Sequence, residues 1–86
     1  MIKTKYSYSD QSLKYMAGNA ITEDDVKQVI NEAEKTGMKA VSTQGLNLAK
    51  LRIGSVTIYV QYKIDSNVGF NVEIVYSHRM DLIEKE

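Results

Sequence analysis

From Val56 to Ile64 the apolar residues fall on every second position without a break. Val56, Ile58, Val60, Tyr62 and Ile64 alternate with Thr57, Tyr59, Gln61 and Lys63. Successive side chains of a strand point to opposite faces, so this run makes a strand with one buried face and one wet face. Such a sheet needs a cover on its apolar side. The upstream half of the chain supplies one, because its apolar residues recur with the 3.6-residue period of a helix.

Two helices are predicted there. Ser9 or Asp10 is placed to cap the first, its side-chain oxygen accepting an orphan backbone N–H. Leu13, Met16, Ala17 and Ala20 then share one helix face, and Gly18-Asn19 ends the run. The second helix opens at Thr22, with Glu23-Asp24-Asp25 setting negative charge on the positive end of the helix dipole. Asp25 stands where a capping box carries Glu or Gln. Val26, Val29, Ile30 and Ala33 form the apolar stripe, and Thr36-Gly37 stops the helix with glycine at the left-handed position.

After Gly37 the period is two. Met38 to Thr43 is expected as a short strand and as the exposed edge of the sheet, followed by a turn at Gln44-Gly45. Leu46 and Leu48 share one parity and Leu51 and Ile53 the other, a slip that predicts a β-bulge near Ala49-Lys50. Gly54-Ser55 reads as a two-residue turn of type II′. Asp65-Ser66-Asn67-Val68-Gly69 makes the next turn. The last strand then sets Phe70, Val72, Ile74, Tyr76 and His78 on one parity, and the tail from Asp81 to Glu86 is charged. Unbroken pairing would place Val60 against Ile74, Ile58 against Tyr76 and Val56 against His78, all on the apolar face. The opposite face would carry Lys50, Arg52, Tyr59, Ser77 and Arg79.

The fold class that follows is α+β over a single domain, 1–86. Two N-terminal helices cover one face of an antiparallel sheet of three to four strands, with room for a short N-terminal strand in residues 1–8. The chain has 86 residues, 43% of them hydrophobic and 26% charged, which is ordinary globular composition. Lysine and arginine number 11, as do aspartate and glutamate, so no basic excess announces nucleic acid. Cysteine is absent, which excludes disulfides, thiolate nucleophiles and a zinc ribbon, and favours the cytoplasm. No apolar run is long enough to span a bilayer, and the first residues lack the apolar core of a signal peptide.

Few residues are suited to chemistry. His78 is the sole histidine and Arg79 beside it suits phosphate, so these two are the catalytic candidates. Neighbours on a strand point apart, which argues against their acting on one atom and for a half-buried His78 at the sheet margin. Tyr62 and Tyr76 are expected in the core, and Tyr59 on the wet face. The acidic triplet at 23–25 is explained by its helix start, with no metal. No cofactor motif is present. Lys50, Arg52, Tyr59, Ser77 and Arg79 make the wet face locally basic, a candidate binding surface for a protein or an anion. A polar outer face is also what any one-sided antiparallel sheet presents.

Residues 9–26, S-D-Q-S-L-K-Y-M-A-G-N-A-I-T-E-D-D-V, resemble the opening of small toxin-like domains related to the BrnT and RelE ribonucleases, with Ser9, Met16, Ile21, Thr22, Asp25 and Val26 matching. The resemblance implies a similar helix-then-hairpin fold and metal-independent cleavage of RNA. The histidine and arginine of that pattern fall on Gln11 and Asn19 in this chain, which implies an inactive descendant. Lys50 to Thr57 and Tyr76 to Met80 are similar to segments of small accessory domains beside redox enzymes of anaerobic bacteria, which implies a partner-binding module. The expectation is therefore a non-catalytic protein-interaction or regulatory module of a bacterial cytoplasmic system, taking a protein partner or forming a homodimer. The alternative is a RelE-like ribonuclease, with RNA as partner and His78, Arg79, Arg52 and Tyr59 as its active group. An antitoxin or inhibitor that binds through a sheet edge stands beside these.

Overall fold

The computed structural model describes residues 5–65 and 69–79, without the side chain of Arg79. The expected turn residues 66–68 and the charged tail lie outside that description. The elements in chain order are β1 (Lys5–Tyr8), α1 (Asp10–Gly18), α2 (Glu23–Thr36), β2 (Ala40–Val41), β3 (Asn47–Ile53), β4 (Val56–Asp65) and β5 (Gly69–Arg79). The strands form one sheet in the order β1-β5-β4-β3-β2. It has five strands rather than three or four. It is also not wholly antiparallel, because β1 runs parallel to β5, with Lys5 opposite Gly69 and Tyr8 opposite Val72. At Gly69 a Cβ would press on the main chain of Lys5, so glycine is what lets the two strands meet.

The helix ends form as local chemistry dictates. Ser9 caps α1 by accepting the Ser12 N–H at 3.1 Å. Thr22 and Asp25 complete a reciprocal capping box: the Thr22 N–H donates to Asp25 Oδ2 at 3.0 Å and the Asp25 N–H to Thr22 Oγ1 at 3.1 Å. The shorter aspartate thus does the work of glutamate. α2 stops at Gly37, left-handed with φ 76°. α1 stops differently. Its left-handed residue is Ala20, with φ 57°, and the Ile21 N–H returns to Met16 O at 3.0 Å. Met16 and Ile21 are both buried, supplying the apolar contact of a Schellman ending.

Both helices feed one hydrophobic cluster. Met16, Val26, Val29, Ile30 and Ala33 meet Ala49, Ile58, Val60, Tyr62, Val72 and Val75. The inward parity of β4 is as expected, with Ile58 only 4% exposed. Two registers differ from the sequence reading. β3 pairs with β4 continuously from Asn47–Tyr62 to Ile53–Val56, so there is no bulge at Ala49-Lys50. Asn47 and Ala49 point inward, and Leu46 and Leu48 belong to the other parity. The irregularity lies in β5, where Tyr62 pairs with Val72 and Gln61 with Ile74, leaving Glu73 as the extra residue. Beyond it Val60 meets Val75, Ile58 meets Ser77 and Val56 meets Arg79, one residue on from the expected register. A bulge inverts the parity of everything that follows it.

α1 seals the edge of β5 beyond β1. The Ser9 hydroxyl donates to the carbonyl of the bulged Glu73 at 2.7 Å. The Tyr15 hydroxyl accepts the Ser77 N–H at 3.0 Å and lies 3.3 Å from Ser77 O as its donor. Two side chains thereby occupy main-chain groups that another strand would otherwise seek.

Candidate functional site

The uncovered face of the sheet is built from three cross-strand rows. Arg52, Thr57 and His78 form the first, Lys50, Tyr59 and Tyr76 the second, and Leu48, Gln61 and Ile74 the third. Tyr59 and Tyr76 stack with ring centroids 4.7 Å apart and planes within 6°. Tyr76 is 36% exposed and Tyr59 half-buried beside it, so the stack opens to water at the middle of the face.

The bulge decides who belongs to this face. Ser77, expected here, turns inward and is held by Tyr15. Tyr76, expected in the core, comes out instead. His78 lies opposite Thr57 and is exposed, rather than half-buried against Val56. It therefore shares a face with Arg52, one strand on either side of Thr57. With strands about 4.8 Å apart, that places their backbones about 10 Å from each other. Lys50, Arg52 and Tyr59 are where the alternation put them. Arg79 pairs with Val56 through its backbone, and its side chain lies outside the described residues.

Sequence reasoning missed Tyr76, Ile74 and Leu48 as residues of this face, whereas Met38 lies in the segment expected at the exposed edge. One signal was available: Ile74-Val75-Tyr76 is an apolar run of three that a one-sided strand cannot hold without a bulge.

The Arg52 Nε–H donates to the carbonyl of Gly54 at 3.0 Å, folding that side chain onto the hairpin turn. The turn has Gly54 at φ 66° and no positive φ at Ser55, as type II′ requires. Lys50 borders a groove of about 500 Å³ together with Met38, Ala40, Leu48, Ala49 and Tyr59. Met38 is 77% exposed at its rim. Behind the groove, Glu34 Oε2 receives both Lys39 Nζ and the Tyr62 hydroxyl at 2.6 Å. A second, more polar hollow of about 350 Å³ lies among Ser9, Gln11, Gln61, Lys63 and Ile74.

This arrangement offers an aromatic pair, an apolar groove and two cations on one open surface. Among the described residues no three of His, Cys, Asp or Glu gather as metal ligands. Among the described residues no helix is long and apolar enough to cross a membrane. Compared with known protein families and with curated proteins, the chain matches none.

Proposed function

We propose that this chain is a non-catalytic protein-interaction or regulatory module that binds a protein partner on the uncovered face of its sheet. The observation that carries the reading is the stacked Tyr59–Tyr76 pair, Tyr76 exposed and Tyr59 half-buried, at the centre of a face that no helix among the described residues covers. Aromatic anchors flanked by arginine are what interface centres select, because they bury much area at low cost in side-chain entropy. The lack of cysteine supports a reducing setting, and the bacterial cytoplasm is the one we infer. Homodimerisation through the same face is the simplest form of the reading. The test is purification from host cells under mild conditions, with sedimentation to give the assembly mass. The wild type is expected in a complex, and Tyr59→Ala/Tyr76→Ala as a folded monomer. A wild-type chain that is monomeric and alone rejects the proposal.

One observation favours a second reading, a ribonuclease related to BrnT and RelE or its inactive descendant. The bulge brings His78 onto the face that holds Arg52, Lys50 and Tyr59. A histidine and two cations on one surface suit a phosphodiester, with His78 moving the proton and Arg52 holding the phosphate. RNA cleavage by the purified chain that disappears in His78→Ala selects this reading over the first.

A further inference from the structure

Exposed edges of the sheet are treated unequally. The β5 edge is closed by β1, Ser9 and Tyr15. Among the described residues the other edge is guarded only by β2, which is two residues long and pairs with Asn47 and Leu48. From Ala49 to Ile53, β3 has no strand on its outer side among the described residues. The expected edge at Met38 to Thr43 is therefore the lesser one.

Hairpin geometry says which groups face outward. A two-residue turn makes Ile53–Val56 a hydrogen-bonded pair, and bonded pairs alternate along an antiparallel ladder. Leu51 and Ala49 thus bond to β4, while the N–H and C=O of Lys50 and Arg52 point away from it. The same count turns Leu48 toward β2, consistent with the next bonded pair there, Ser42 N–H to Leu46 O at 2.9 Å. β2 runs in the lane beside β3, but the chain leaves that lane at Lys39, whose N–H bonds back to Gly37 O at 3.0 Å. The groove by Met38, Leu48 and Lys50 is the gap it leaves.

We infer that the β3 edge from Ala49 to Ile53 receives an extended segment of a partner protein as an added strand, one whose residues alternate acidic and apolar. This rests on the protein-interaction reading above and names the chemistry of its partner. The added strand's outward residues meet Lys50 and Arg52, so they are acidic. Its inward residues lie beside Leu51 and Ile53, both half-buried, so they are apolar. A second copy of this edge does not fit. Antiparallel pairing that keeps inner faces together must be centred on one residue. Centring on Leu51 sets Lys50 against Arg52, on Lys50 sets lysine against lysine, and on Arg52 arginine against arginine. Like charges directly opposed disfavour each register.

The probe is a capped seven-residue peptide alternating glutamate with leucine and valine, titrated into labelled full-length chain and followed by amide NMR. Binding is expected with slowed exchange of the Lys50 and Arg52 amides. It should weaken about tenfold, the worth of two charge pairs, when lysine replaces glutamate. A central proline in the peptide should abolish it. The Lys50→Glu/Arg52→Glu chain, changed only at exposed positions, should reverse the preference and take the lysine peptide. No binding at millimolar peptide, equal binding of the two peptides, or binding that leaves those two amides unprotected overturns the inference. It also fails separately from the reading it rests on. A natural partner lost by Tyr59→Ala/Tyr76→Ala but kept by Lys50→Glu/Arg52→Glu overturns the added strand alone.

Discussion

Tyr8 and Tyr15 show how much one hydroxyl depends on its surroundings. The Tyr15 hydroxyl serves the main chain of Ser77. The Tyr8 hydroxyl is buried with no hydrogen-bond partner among the described residues. Burial first, then the nearby charges of Glu23, Tyr6 and Asp24, push its pKa up to about 12. Removing a satisfied partner strands the group left behind, whereas removing an unsatisfied hydroxyl relieves a cost. Tyr15→Phe should therefore lower unfolding stability by about 1–2 kcal/mol. Tyr8→Phe should leave it unchanged or raise it by up to about 1 kcal/mol. Urea denaturation of the two variants beside the wild type checks the contrast. Neither role was legible beforehand, since tyrosine in an N-terminal segment carries no mark of what its hydroxyl will meet.

Helix boundaries were the most readable elements, because caps are local chemistry. Ser9, Thr22 and Gly37 act where the pattern put them. The first helix also ends at Gly18-Asn19 as read, but its left-handed position falls to Ala20, which the pattern did not mark. An L-residue there costs about 1–2 kcal/mol of backbone energy, part of which glycine would give back in the entropy of the unfolded chain. Ala20→Gly is expected to stabilise the protein by about 0.5–1 kcal/mol, read as a rise in thermal midpoint. A fall in midpoint would contradict the Schellman ending assigned here. The strands were readable by parity only as far as Tyr62. The bulge at Glu73 is held by a serine 64 positions upstream, a contact that no local window contains. With it went the assignments of Tyr76, Ser77 and His78, and so half of the candidate face.

At the scale of the whole molecule, one carboxylate links α2 to the sheet. Burial by itself would raise the Glu34 pKa. Hydrogen bonds from Lys39 and Tyr62, joined by the Lys39 charge, outweigh it and hold the group below its ordinary 4.5. Its contribution to stability is therefore complete above the unfolded-state value and drains away as pH falls through the folded one. Tyr62 moves the other way, raised by burial and then by Glu34. Both Tyr62 and Tyr8 are thus penalised for ionising in the folded chain, so stability is unaffected below the ordinary phenol value and falls as pH climbs past it. The unfolding midpoint in urea should thus plateau near neutrality and fall on both flanks. Glu34→Gln should flatten the acid flank, and Tyr62→Phe the alkaline one.

The bulge bears on how this gene tolerates changes in length. Strike out Glu73 and Ile74 follows Val72 directly, still opposite Gln61, with Val75, Tyr76 and Ser77 keeping the sides they already have. A one-codon deletion there regularises the strand, at the expense of the Ser9 tether. The same loss within 57–61 would force the remaining residues of that strand to slip or turn inside out. Glu73 is thus the place where this sheet is expected to absorb an indel.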